Sequence, residues 1–352
     1  MKARFICYTL NFKRPSGTSR GIMHTKETYF IVLEHEEKIG IGECGVLWGL
    51  SPDPRSQYEQ KLTQVCNNIN LGLDYSPNDL DAFPSIRLGL SSAFDSLNAQ
   101  SPALLYPSDF TSGNFEGLGK GIPINGLIWM GDFGFMNAQI KKRLDDGFRC
   151  LKLKIGARDF DAEWELIQRL RREFTPDDLE IRVDANGAFD PVSALEKLKM
   201  LGDLQLHSIE QPIAVGQWDQ MARLVEQSPL DIALDEELIG LTTAEEKQRM
   251  LSQIMPAYII LKPSLIGGFD HSDQWIQWSE ERNIGWWITS ALESNVGLNA
   301  IAQYTATKNT SMPQGLGTGS LFVNNIPSPL EIQQAKLHYN MNRTWSFNSL
   351  NL

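Results

Sequence analysis

Three carboxylates recur at nearly even intervals along this chain: Asp184, Glu210 and Asp235, separated by 26 and 25 residues. Each closes a short apolar run: Ile181-Arg182-Val183-Asp184, His207-Ser208-Ile209-Glu210 and Ile232-Ala233-Leu234-Asp235. Hard oxygen ligands brought to one point suit Mg²⁺ or a similar ion. No His or Cys shows the pairing that Zn²⁺ prefers. Two lysines precede the acids, Lys152 and Lys154 in Cys150-Leu151-Lys152-Leu153-Lys154-Ile155, and a third, Lys262, stands 27 residues after Asp235. A spacing of two puts Lys152 and Lys154 on the same side of a strand. Facing outward they would meet covering helices, an expensive home for ammonium groups. Facing inward, near a cation and each other, one would have its pKa lowered and become a general base.

About 25 residues accommodate one strand, one helix and two loops, so the rhythm reads as successive βα units of a parallel barrel. Each carboxylate then ends a strand, on the face where barrels carry their chemistry. Helix-length amphipathic segments fall between the strands, at Asp161–Phe174, Val192–Leu201, Trp218–Glu226, Ala244–Gln253 and Asp270–Arg282. A strand at Gly285–Thr289 ends 27 residues after Lys262; with Ile122–Trp129 in front and Pro313–Gly317 behind, eight strands span roughly 200 residues, the smaller end for a (β/α)₈ barrel of the TIM type. On this reading Lys262 enters from the opposite side of the ring from Lys152 and Lys154. Residues 1–120 break the rhythm, with strands at Ala3–Leu10, Thr28–His35 and Lys38–Cys44 and helices at Pro54–Asn68 and Pro84–Asn98. The predicted organisation is an α+β capping domain (1–120), a barrel (121–325) and a tail without usable periodicity (326–352). Polar Lys13–Thr25 reads as a mobile loop that closes over a site.

The formal charge of −11 over 352 residues argues against nucleic acid or anionic membrane as a partner. No apolar run is long enough to span a membrane, and Met1–Phe12 reads as a strand rather than a signal peptide. The four scattered cysteines fit reduced thiols in a cytoplasmic protein.

Other motifs admit two readings. Arg182 shares the Asp184 face, where it could order the lysines, bind substrate through water, or form a structural ion pair. Ser290 opens Ser290-Ala291-Leu292-Glu293-Ser294-Asn295, a capping segment whose free N–H groups could also hold a substrate carboxylate. Gly315-Leu316-Gly317-Thr318-Gly319 reads as a tight substrate-facing loop rather than a phosphate cradle. Gly17-Thr18-Ser19-Arg20-Gly21 matches the GxSxG elbow formally, but between two strands rather than on a strand-to-helix turn. The five histidines show no catalytic or metal-binding pairing.

Taken together, these residues resemble the enolase superfamily, specifically its muconate lactonizing branch. The likeness rests on Lys152/Lys154, Val-Asp184-Ala-Asn, Ile-Glu210-Gln-Pro, Asp235-Glu236 and Lys262, and extends over essentially the whole chain. Within the branch, Leu261–Gly268 and Thr289–Gly297 look most like the o-succinylbenzoate synthase family. The resemblance implies a modified barrel with its capping domain completed by the tail, and Mg²⁺ (or Mn²⁺) held by Asp184, Glu210 and Asp235. It also implies catalysis by Lys154 and Lys262, and a carboxylate substrate held by Lys152, Arg182 and Ser290. The implied reaction is syn-elimination of water from a succinyl-hydroxycyclohexadiene carboxylate through an enediolate, on the way to menaquinone. The alternative in the same branch is racemisation of an N-acylamino acid or epimerisation of a dipeptide. The Asp-x-Asp that dipeptide epimerases usually carry after the last strand is missing from Gly315–Ser320.

Overall fold

The computed structural model describes the chain except residues 19–20, 74–76, 100, 102, 114–116, 130, 157–158 and 309. Strands β1 (Lys2–Thr18), β2 (Gly21–His35) and β3 (Lys38–Cys44) form an antiparallel sheet in that order. Helices α1 (Tyr58–Asn70) and α2 (Pro84–Asn98) cover one face, burying Tyr29, Ile31 and Leu33 against Leu62, Ile86 and Leu90. Pro84 suits the first helical position because its fixed φ matches the helix and its missing N–H is not needed there.

Of the polar stretch 13–25, residues 13–18 and 21–25 are strand rather than loop. Pairing of β1 with β2 continues to Thr18 and Gly21, with one irregularity between Asn11 and Ser16. Backbone bonds from Lys13 N to Leu321 O and from Val323 N to Asn11 O tie this ribbon to the barrel. Of the GxSxG match, Ser19 and Arg20 lie outside the described residues.

After the short β4 (Ile122–Pro123), the chain winds through β5 (Gly126–Ile128), α3 (Phe133–Asp145), β6 (Cys150–Lys154), α4 (Phe160–Glu173) and β7 (Glu180–Asp184). It continues through α5 (Ala194–Gly202), β8 (Ser208–Glu210), α6 (Trp218–Gln227), β9 (Ile232–Leu234), α7 (Ala244–Ile254) and β10 (Tyr258–Leu261). The short α8 (Pro263–Ile266), α9 (Gly268–Glu280), β11 (Gly285–Ile288) and α10 (Asn295–Ala306) follow. Strands β5 to β11 pair in sequence order as a seven-stranded parallel sheet. The expected eighth strand at Pro313–Gly317 shrinks to two residues: Gln314 bridges Ile124 and Gly315 bridges Thr289, so the sheet closes through single parallel bridges. Gly315 is required there, because a Cβ would stand 2.1 Å from Thr289 Oγ1.

The tail touches both the barrel and the capping sheet. Residues 330–339 form a hairpin, β12 (Leu330–Gln333) and β13 (Lys336–Tyr339), with β13 pairing to β4 at the start of the barrel. On either side of the hairpin the tail packs on the capping sheet, where Ile326, Trp345, Phe347, Leu350 and Leu352 meet Ile6, Tyr8, Phe30 and Ile41.

Candidate active site

Parallel register fixes the site before any side chain is considered. Lys154 pairs with Asp184, and Asp184 with Glu210, so the ends of β6, β7 and β8 lie side by side. Asp235 follows the last residue of β9 and Lys262 the last residue of β10. Asp184, Glu210 and Asp235 are all buried. They stand at a cleft whose walls include Asp184, all three lysines and Asn186.

The lysines lie on the acids. Lys152 Nζ is 2.9 Å from Asp184 Oδ2 and also contacts Glu210 Oε2. Lys154 Nζ donates to Asp184 Oδ2 at 2.9 Å and to Asn186 Oδ1 at 2.7 Å. Lys262 Nζ donates to Asp235 Oδ2. Burial works against charge on Lys152, Lys262 and the three acids, yet the ion pairs win for all of these but Glu210. Burial disfavours the Lys152 ammonium, but Asp184, Glu210 and Asp235 hold its pKa above the ordinary lysine value. Lys262 is likewise raised, Asp235 outweighing burial. Asp184 is held below the usual carboxylate range by Lys152 and Lys154, and Asp235 by Lys262, again against burial. Glu210 goes the other way, pushed up by burial and by the neighbouring Asp184 charge.

Among the described residues no three acidic, His or Cys side chains converge closely enough to form a complete metal cluster. The ammonium groups of Lys152 and Lys262 stand against the acids instead. The donor set nevertheless fits a hard cation: three carboxylates share one strand-end layer, and Glu210 Oε1 and Asp235 Oδ1 are buried without a hydrogen-bond partner. Backbone strain gathers at the same level. Asn186, Gln211 and Leu292 have φ of 44°, 41° and 63°, each in a loop that follows a barrel strand. Such non-glycine conformations cost on the order of 1–3 kcal/mol each and cluster at functional sites.

Two sequence expectations need correction. Arg182 does not reach the cleft: its Nε donates to Glu180 Oε1 at 2.7 Å, its Nη1 to Pro313 O at 3.0 Å, and its guanidinium lies 4.3 Å from the Trp287 ring centre. It is a structural ion pair beneath the aromatic floor. The backbone N–H groups that open α10 are not free for a substrate either, because Glu43 accepts from Ser294 N and Gly297 N. Ser290 does line the cleft, its hydroxyl 2.6 Å from that of Thr318. The sequence reading missed Asn186, which joins Lys154 to Glu236 through its amide, although Val-Asp-Ala-Asn was in view. It also missed the apolar walls contributed by Met23 of the hairpin, by Leu47 and Leu50 after β3, and by Leu127, Trp129 and Trp287 of the barrel.

Comparison with known proteins agrees with this architecture. Residues 136–340 match the family model described as enolase C-terminal domain-like. The o-succinylbenzoate synthase of Desulfotalea psychrophila is 48% identical over 92% of this chain and 95% of its own. The crystal structure of MenC from Desulfotalea psychrophila superposes with a TM-score of 0.85 at 44% identity, covering 96% of this chain and 99% of that one. An N-succinylamino acid racemase from Thermus thermophilus is 30% identical over 45% of this chain and 40% of its own. The barrel, its strand-end acids and lysines, and this likeness along the whole length place the chain in the enolase superfamily, within its o-succinylbenzoate synthase family.

Proposed function

We propose that this chain is a hydro-lyase that dehydrates a succinyl-hydroxycyclohexadiene carboxylate to o-succinylbenzoate, a step toward menaquinone, in the cytoplasm. The observation that carries the reading is the likeness over nearly the full length to an o-succinylbenzoate synthase, joined to lysines on opposite sides of one cleft. The proton to be removed lies α to a carboxylate, so the dianionic enediolate must be stabilised at neutral pH. Asp184, Glu210 and Asp235 would hold Mg²⁺, which when bound supplies Lewis-acid stabilisation of that charge.

The chain's own residues do the rest. Lys154 removes the α-proton and then delivers a proton to the departing hydroxyl on the same face. Its geometry is set by Asp184 and by Asn186, whose other amide end is fixed on Glu236. Lys152 holds the substrate carboxylate. Lys262, kept cationic by Asp235, stabilises the enediolate from the opposite face. The apolar walls exclude water and take up the ring, and Ser290 offers a polar contact beside it.

Racemisation of an N-acylamino acid is the second reading, favoured by the same opposed lysines and by the racemase likeness over part of the chain. The deciding experiment is turnover of the cyclohexadiene carboxylate against a panel of N-succinylamino acids with Mg²⁺ present. Dominant dehydration supports the proposal; racemisation without dehydration overturns it.

A further inference from the structure

A second group of buried charges lies where the capping sheet meets the barrel. Glu43 on β3 and Glu293 after β11 are 1% and 0% exposed, and Lys26 on β2 is 4% exposed. Glu43 Oε1 accepts from Thr28 Oγ1 at 2.7 Å and from Ser294 N at 2.9 Å; its Oε2 accepts from Gly297 N at 2.9 Å and from Ser294 Oγ. A carboxylate from the capping sheet thus saturates the positive end of α10, a helix that follows it by some 250 residues. Glu293 accepts from Ser264 Oγ and from Ala291 N. Lys26 Nζ makes no hydrogen bond and rests in the field of both carboxylates. The fit is close: a Cβ on Gly45 would stand 2.7 Å from Glu293 Cγ and 2.8 Å from Ser264 Oγ.

Stability alone does not account for this cluster. Buried ion pairs are commonly no better than well-packed apolar side chains of similar volume, whereas breaking one is costly. What short charge-assisted bonds supply is fixed relative position. The elements they fix are the two walls of the cleft. Leu47 and Leu50 follow Glu43 in the capping unit, and Ser290 and Leu292 precede Glu293 in the barrel.

We propose that Glu43 and Glu293 are positioning residues, a hydrogen-bonded latch that sets the capping wall against the barrel wall and so holds the arm of the substrate that lies away from the lysines. The identity of that substrate rests on the function proposed above; the latch itself does not. Two variants test it in the full-length protein. Glu43→Gln removes the charge at nearly constant size, and Gly45→Ala keeps every charge but forces a methyl into the contact. For each, amide hydrogen exchange is followed by mass spectrometry, Mg²⁺ affinity by calorimetry, and kcat and KM by dehydration assay.

Both variants are expected to exchange faster in residues 44–50 and 290–294. KM should rise about tenfold, the lower end for loss of a charged hydrogen bond, while kcat stays within about threefold and Mg²⁺ affinity is unchanged. A merely structural part in the fold would lower the melting temperature and leave KM alone. Unchanged KM, or unchanged exchange in both segments, overturns the latch. Should Glu43→Gln fail to fold, Gly45→Ala decides by the same readouts. Should the wild type not turn over the cyclohexadiene, the proposed function fails, and the exchange rates still decide the latch.

Discussion

At Glu210 one carboxylate oxygen meets the Lys152 ammonium and the other is buried without a hydrogen-bond partner among the described residues. That asymmetry makes Glu210→Gln the sharpest probe of the cation site. The substitution preserves shape and removes the charge, so Mg²⁺ affinity should weaken by at least about tenfold, with activity falling alongside. Calorimetry giving wild-type affinity for Gln at 210, and likewise for Asn at 184 and 235, would retire the assignment. Lys154→Ala should slow turnover by roughly 10²–10⁴-fold, the contribution of a positioned acid–base, with circular dichroism unchanged; near-normal turnover would refute the role. For Lys262 the informative change is Lys262→Arg, which keeps the cation but cannot act as a base near neutral pH. If dehydration runs on one face, the variant retains a larger share of dehydration than of any N-acylamino acid racemisation. Equal losses would count against that. The positions of these residues were legible in the sequence because each ends an apolar run and a parallel barrel brings strand ends together. Arg182 carried the same signature two residues earlier, and there periodicity misleads: it names the face but not the depth. Asn186 escaped because a residue just past a strand end, with φ of 44°, follows no period.

Elements show the same contrast. Helix α2 and strand β3 have the bounds expected from sequence, since proline at the first helical turn and a strand-length apolar segment are local signals. The 13–25 ribbon was misread because pairing through Thr18 and Gly21 is decided by the partner strand, not by composition. The closing strand at Gln314–Gly315 is shorter than any pattern could announce. One helix depends on a group far from it in sequence. Asp53 caps α2 from outside, its Oδ1 accepting from Ser85 N at 3.2 Å and from Ser85 Oγ at 2.7 Å, while its Oδ2 is buried and unpartnered. Burial pushes its carboxyl up to about 7, against the lowering effect of the Ser85 bonds. A folded-state value above the unfolded one means the contribution is whole below the ordinary value of 3.8 and is lost as pH rises to about 7. Denaturant unfolding of wild type and Asp53→Asn should therefore diverge between about pH 4 and 7. The wild type loses stability relative to the variant across that window, and the difference is flat above it. A constant difference throughout would show that Asp53 titrates normally.

At the scale of the whole molecule, the capping sheet is a layer between two unlike partners. Helices α1 and α2 cover one face; α10, Ile326 and the last residues of the chain cover the other. Leu350, 1% exposed, is an interior residue despite its place in the sequence. Leu350→Ala should cost about 2–5 kcal/mol, the range for deleting a buried leucine side chain, read by denaturant unfolding. A loss below about 0.5 kcal/mol, ordinary for a surface change, would mean that the tail contributes little to the sheet. This packing was expected from the family resemblance alone and not from any pattern within residues 326–352, because a segment that borrows its partners from far along the chain needs no periodicity of its own. That arrangement also sets an order of events at the ribosome. The barrel's parallel strands emerge after the capping sheet, and residues 345–352 emerge later still. Until residues 345–352 emerge, that face of the sheet therefore lacks part of its cover. Nascent chains stalled before residue 345 should accordingly be held by chaperones and cut readily in the N-terminal unit, and released chains that include residues 345–352 should not.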